Sequence, residues 1–293
     1  MRPPGLEPGS SPWKGEILPL DNGRSLGKAG EYATSFGGWI CLAAKKSQAL
    51  TITIVFGYLF NPFGDLSFLM RGKLIVFEGI DSSGKATQQG MLIESLKQKG
   101  FSVEALDFPR YSEFFGSLVG RYLAGEFGAI DEVPAEFASL IYSIDRYQLK
   151  KEIEQKLSAG TILVANRYVF SNIAFQSEKF RSLKEKKEFM EWLSIVESRM
   201  PEADIVFFLD IPVKTAVSLM AGKDRLKSYR NGKERDMHES DDAYLERVRE
   251  NYLSLAQKHT NWKVTGCVEK DCLKNREEIA KEVLALASRF LKI

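Results

Sequence analysis

Metal-binding and redox residues are scarce in this chain of 293 residues, which has two histidines, His238 and His259, and three cysteines, Cys41, Cys267 and Cys272. Cys267 and Cys272 have no second Cys or His pair nearby, which argues against a four-ligand zinc site. An odd, sparse cysteine set suits a reduced cytoplasmic protein and not a disulfide framework. Charge imbalance is missing too. Lys and Arg number 41 against 39 acidic residues, so nothing in the balance points to a nucleic-acid partner or to stable membrane association. Long apolar runs are also absent. The stretch Ala49 to Phe60 has 12 residues before Asn61, Pro62 and Gly64 interrupt it, whereas about 20 are needed to span a bilayer. Lys45 and Lys46 precede it, but a signal peptide would not begin so far into a chain. A short strand or a marginal hydrophobic anchor remain. A hydrophobic content of 44% supports one large domain or two small ones.

Composition changes near Met70. The first 23 residues are rich in Pro, Gly and Ser and carry no strand or helix period, so residues 1–69 are expected to be a poorly structured extension. That opening also resembles the peptides produced when a tRNA gene is translated. On this reading Met70 opens the native chain, and 1–69 is not part of it. From Lys73 the pattern is regular. Apolar runs at 74–78, 103–108, 161–166, 204–211 and 262–268 suit strands buried on both faces. Helical patterns lie between and after them. One runs from Lys85 to Gly100, one from Pro134 to near Gly160, one from Asp241 to His259 and one from Asn275 to the end. This alternation predicts an α/β fold with a doubly wound parallel sheet and helices on both faces over residues 70–293.

The stretch "VFEGIDSSGKATQ", Val76 to Gln88, has two glycines five positions apart, Gly79 and Gly84, followed by Lys85. These are the elements of a phosphate-binding loop, here Gly79, Ile80, Asp81, Ser82, Ser83, Gly84, Lys85, Ala86 and Thr87. Glycines let successive N–H groups curl toward one anion. The following helix offers its positive end. Lys85 supplies a point charge for β- and γ-phosphates. Ala86 stands where a hydroxyl would ligate Mg²⁺. Thr87 is turned by about 100° from it on a helix. Mg²⁺ leans on waters and substrate phosphates, so the loop still binds a nucleoside triphosphate, with Asp81 the natural metal partner.

Three clusters bear on the acceptor. "DFPRY" places Arg110 at the carboxyl end of the second strand, where open α/β sheets bind ligands. "YSIDRY" puts Tyr142 and Arg146 on one helix face, an aromatic plane beside a planar donor fork. "NRYVFSNIAFQ" presents Arg167 after the third strand. A further basic run, Gly222 to Glu239, reads as a mobile loop able to close over phosphates.

Together these clusters resemble the thymidylate kinases, a family of P-loop nucleoside-monophosphate kinases, over about residues 72–293. The resemblance implies a P-loop kinase fold with a five-stranded parallel sheet and a basic lid, a homodimer, and ATP and dTMP as substrates. By the same resemblance Asp81 contacts the deoxyribose 3′-hydroxyl and helps organise Mg²⁺, while Arg110 and Arg167 bind the acceptor phosphate. Tyr142 stacks on thymine and Arg146 bonds the base. Ser171, Asn172 and Phe175 line the base side, and Glu239 lies near the acceptor sugar. Lid arginines such as Arg225, Arg230 and Arg235 act with Lys85 on the transferring group.

Two departures stand out: Ala86, and Asn166 in place of an acidic residue before Arg167. The second weakens the metal's surroundings and is expected to leave Arg167 without a carboxylate to orient it. A phosphate acceptor with a second pKa of about 6 needs no general base at pH 7, which fits a site expected to have no histidine. Two rivals stay open. A deoxynucleoside kinase would need a carboxylate base, for which Glu78 and Glu239 are the candidates. A catalytically impaired nucleotide-binding homologue is the other, suggested by Ala86 and Asn166 together.

Overall fold

The computed structural model describes the backbone at 31–36, 39–46 and 49–53, and the chain at 71–221, 238–239, 241–270 and 272–293. Residues 1–64 and 65–293 form two separate units. In the first, β1 (Glu31–Phe36), β2 (Trp39–Lys46) and β3 (Ala49–Thr53) pair antiparallel in the order β1-β2-β3. The stretch 49–60 thus contributes β3, and its remainder lies outside the described residues, as do residues 1–30.

The second unit is built on five strands. They are β4 (Leu74–Glu78), β5 (Val103–Asp107), β6 (Ile162–Asn166), β7 (Ile205–Asp210) and β8 (Trp262–Gly266). All pair in parallel, in the order β5-β6-β4-β7-β8. The first strand of this unit in the chain, β4, is therefore central. Every residue of β4 is buried, as a strand covered by helices on both faces requires. A two-stranded hairpin, β9 (Val268–Glu269) with β10 (Cys272–Leu273), follows β8.

Nine helices are found among the described residues. In chain order they are α1 (Lys85–Gln98), α2 (Phe114–Leu123), α3 (Ala135–Tyr147), α4 (Lys150–Ser158), α5 (Val169–Gln176), α6 (Leu183–Glu197), α7 (Val213–Ala221), α8 (Asp242–Lys258) and α9 (Arg276–Leu291). Their starts are legible locally. Asp241 and Asn275 cap α8 and α9 with side-chain oxygens, and Asn275 with Glu278 forms a reciprocal capping box. Ser182 accepts from Glu185 N at 3.4 Å to start α6. The single helix expected from Pro134 to Gly160 is instead two. The Gln148 side chain donates to the Asp145 carbonyl at 3.2 Å, and Leu149 N turns to Arg146 O at 3.0 Å. A side chain has taken the acceptor that the next helical turn needed.

Candidate active site

The loop after β4 has the backbone that an anion cradle requires. Gly79 and Gly84 lie at φ +147° and +93°, and Ser82 at +59°. A Cβ at Gly79 would come within 2.9 Å of the Leu209 carbonyl, so glycine is needed for close approach to β7 as well as for conformation. Gly84 opens α1, whose first amides point into the loop. Lys85 is buried, and its ammonium donates to Gly79 O at 3.1 Å and Ile80 O at 2.7 Å. It curls over the loop it serves.

A cavity of about 310 Å³ lies against this loop. Asp81, Ser82, Gly84, Lys85, Ala86 and Thr87 line one side, with Asp107, Asn166, Arg167 and Glu239 opposite. A second, smaller chamber of about 50 Å³ is lined by Leu123, Tyr142, Ser171, Asn172, Phe175, Gln176 and His238. Asp81, Pro109, Tyr111 and Arg167 belong to both walls. The chamber on the glycine-rich loop and an aromatic-and-amide chamber therefore meet at one ion pair.

That pair corrects an expectation. Arg167 is not left without a carboxylate by Asn166. Its NH2 donates to Asp81 Oδ2 at 3.0 Å, while NH1 donates to Gly79 O and Ser171 Oγ, both at 3.1 Å. The guanidinium also sits 5.1 Å from the Phe175 ring centre. Burial pulls its pKa down, but the charge of Asp81 and the nearby Tyr252 and Glu78 outweigh it and hold the pKa raised. Asn166 turns instead to Asp107 across the β5–β6 register, donating to Oδ1 at 3.1 Å.

In the smaller chamber Tyr142 meets Tyr122 edge to face at 6.2 Å. The Asn172 amide nitrogen is held by Ser139 O at 3.0 Å and Glu197 Oε1 at 3.0 Å. Its Oδ1, and both amide atoms of fully buried Gln176, have no hydrogen-bond partner among the described residues. Buried amides in that condition are uncommon, and a ligand edge would satisfy them. His238 lies in this chamber too, against the expectation of a site without histidine. It stacks on Phe175 at 5.6 Å, and its Nε2 is 2.9 Å from Tyr122 Oη. Burial pushes its pKa down to about 3, with the Lys179 charge adding to the fall. The ring is neutral at pH 7 and acts as wall and hydrogen-bond partner.

Five expected residues are on neither wall: Gly79, Ile80 and Ser83 of the loop, and Arg146 and Arg110. Arg146 is buried and ion-paired to Glu197, and Ser143 Oγ donates to the same carboxylate at 2.8 Å. Arg110 pairs with Glu113 at 3.3 Å, and its backbone N–H donates to Asp145 at 3.0 Å. Arg225, Arg230 and Arg235 lie outside the described residues. Sequence reasoning missed Asp107, Tyr111, Gln176 and His238. Tyr111 and Gln176 each end a motif whose arginine drew attention first, and His238 stands alone with no periodic signal.

The sequence profile of the thymidylate kinase family matches residues 77–279. A probable thymidylate kinase of Pyrococcus abyssi is 32% identical over 228 residues, covering 76% of this chain and 98% of its own. The thymidylate kinase of Homo sapiens is 31% identical over 224 residues, covering 76% and 92%. A solved thymidylate kinase from Candida albicans shares the fold, with a TM-score of 0.57 at 20% identity over 75% of this chain and 92% of that one. The central strand, its loop and the strand order define a P-loop kinase. The chain belongs to the thymidylate kinase family.

Proposed function

We propose that the protein transfers the terminal phosphoryl group of ATP to dTMP, giving ADP and dTDP, a step toward dTTP. The observation that carries this reading is the Arg167–Asp81 pair standing where the phosphate-loop chamber and the aromatic chamber join. ATP phosphates occupy the first chamber, on the loop amides and Lys85. The nucleotide acceptor occupies the second, with its own phosphate at Arg167. Two like-charged groups are thereby held in line, which is most of what phosphoryl transfer asks of a protein. Tyr142 and Phe175 flank the base. A pyrimidine offering carbonyl, N–H and carbonyl along one edge matches the unpaired amide atoms of Asn172 and Gln176. Asp81 serves the deoxyribose 3′-hydroxyl, and Glu239 closes the phosphate chamber near the sugar. Arg225, Arg230 and Arg235 are assigned to the transferring group by family resemblance alone, as is Arg110 to the acceptor phosphate.

Asp81, Asp107 and Glu239, with Ser82, Thr87 and Asn166, put side-chain oxygens on the wall of the phosphate chamber, a hard donor set that fits Mg²⁺. Among the described residues no group of three or more His, Cys, Asp and Glu is gathered for a metal, so phosphates and waters would complete the coordination. Bound Mg²⁺ neutralises charge on the transferring group. No general base is required of the chain, because the acceptor is a dianion near pH 7.

The nucleoside-kinase alternative is weakened by Glu78, which is fully buried, has both oxygens occupied, and lines neither chamber. A homodimer is supported by α3, where Phe137, Leu140, Ile144 and Tyr147 form an exposed apolar stripe at helical spacing. Among the described residues no helix is long and apolar enough to cross a membrane; a cytoplasmic setting rests on the family and the sparse cysteines. We read residues 70–293 as the catalytic domain and assign no role to 1–69.

The test is a steady-state screen of ATP with dTMP, dUMP, UMP, CMP and thymidine on wild type and Arg167→Ala. Turnover of dTMP, lost by about 10³-fold in kcat/KM in the variant with ATP affinity kept, is expected from removing a charge-assisted phosphate contact. Turnover of thymidine alone would favour the nucleoside kinase. Near-normal use of dTMP by the variant would remove Arg167 from the site.

A further inference from the structure

Glu78 is the last residue of β4 and is completely buried, an expensive place for a carboxylate. Four donors converge on it. Its Oε1 accepts from Tyr168 N at 2.9 Å and Ser171 N at 3.1 Å. Its Oε2 accepts from Ser171 Oγ at 2.5 Å and Tyr252 Oη at 2.9 Å. Three of the four come from the segment directly after Arg167. That residue stands at φ +65°, a left-handed conformation unusual for a side chain other than glycine, Asn or Asp. Its own amide is fixed to Phe77 O at 2.9 Å. The next amide, Tyr168 N, is fixed to Glu78. The guanidinium then donates to the hydroxyl of Ser171, which donates onward to Glu78. Burial pushes the Glu78 carboxyl upward, while Ser171 and the Arg167 charge pull the other way.

We propose that Glu78 is a positioning residue for Arg167, acting through the Ser171 hydroxyl and the first turn of α5. The proposal rests on the reading of Arg167 as the acceptor-phosphate residue. Glu78 touches no chamber itself, so it reaches the reaction only through what it holds, Ser171 and the guanidinium bonded to it. The carboxylate is needed because it only accepts. In Glu78→Gln the volume is kept, but an N–H₂ group replaces the oxygen that takes two hydroxyl protons. That group must donate to Ser171 Oγ, so the hydroxyl proton loses its acceptor and has to turn, and the oxygen that takes the Arg167 bond is held from the wrong side. The left-handed turn and the guanidinium lose their common anchor.

The experiment is a double-variant cycle on the full chain, with dTMP and ATP varied separately. Glu78→Gln is expected to lower kcat/KM for dTMP by about 10²-fold, the scale of an ångström-sized misplacement, with the KM for ATP within about twofold. In the Arg167→Ala background the same change is expected to cost less than about threefold further. A melting curve checks that Glu78→Gln is folded at the assay temperature, so that a loss confined to dTMP, with ATP unaffected, reads positioning and not unfolding. Losses that multiply, or a Glu78→Gln enzyme within about threefold of wild type, overturn the proposal. If Glu78→Gln does not fold, Glu78→Asp carries the same test. It keeps the charge, shortens the reach to Ser171 and Tyr168, alters no chamber wall, and is judged by the same criterion in the two backgrounds. An Arg167→Ala enzyme with normal dTMP turnover sinks the functional reading itself, whereas a crippled Arg167→Ala beside a normal Glu78→Gln sinks only this inference.

Discussion

Removing the Glu197 carboxylate tests how deeply Arg146 is buried, and so whether it belongs to the core or to the base. The two side chains are 2% and 4% exposed. Glu197 Oε1 accepts from Arg146, from Ser143 Oγ at 2.8 Å and from Asn172 Nδ2 at 3.0 Å. In Glu197→Ala, Ser143 keeps the Ser139 carbonyl at 2.8 Å, and Asn172 keeps Ser139 O at 3.0 Å. Among the described residues Arg146 has no such second acceptor, since both of its side-chain hydrogen bonds go to Glu197. The cost therefore falls on one desolvated guanidinium, about 3–5 kcal/mol for breaking a buried pair from one side. Against a total stability of about 5–15 kcal/mol, that is a large fraction. It corresponds to a fall in Tm of about 6–20 °C for a domain of this size. Denaturant unfolding of wild type and variant measures it. The double variant Glu197→Leu/Arg146→Met, with both charges gone, should regain most of the loss. A Glu197→Ala protein less than about 1 kcal/mol below wild type would refute the argument. The guanidinium would then be hydrated or turned into the chamber, as the family resemblance had it.

His238 makes acid stability informative. Its folded pKa is depressed to about 3 from 6.5, so between those values the unfolded chain binds the extra proton. The His238 contribution is thus complete above pH 6.5 and is lost as pH falls toward 3, with a slope of up to about 1.4 kcal/mol per pH unit. His238→Asn should flatten that part of the stability curve, and an unchanged curve would show that the ring is not buried neutral. Asn166→Asp puts a second carboxylate about 3 Å from Asp107. One of the two carboxyls must then titrate higher. The variant should melt lower than wild type at pH 7 but not near pH 4, and adding Asp107→Asn should restore it; a gap that is the same at both pH values would contradict this. Leu140→Glu places a charge in the α3 stripe and should halve the mass seen by sedimentation equilibrium. A wild-type mass in that variant would move the dimer contact elsewhere.

The strands were readable because full burial leaves a continuous apolar run. The expected 74–78 coincides with β4, and the other four runs differ from β5 to β8 by a residue or two at their ends. The loop after β4 was readable for a local reason: two glycines, a lysine and a helix start fall within a few residues, the set that a single anion would need. What the sequence left open were the partners. Asp81 orients Arg167 across 86 positions, and Glu197 takes Arg146 across 51. The order β5-β6-β4-β7-β8 is what brings the loop after β4 beside the loop after β6. Periodicity reports that a residue is buried or that a turn is tight, because those are properties of the local chain in water. Which charge meets which is decided when strands distant in sequence line up their carboxyl ends, and only the tertiary structure contains that alignment.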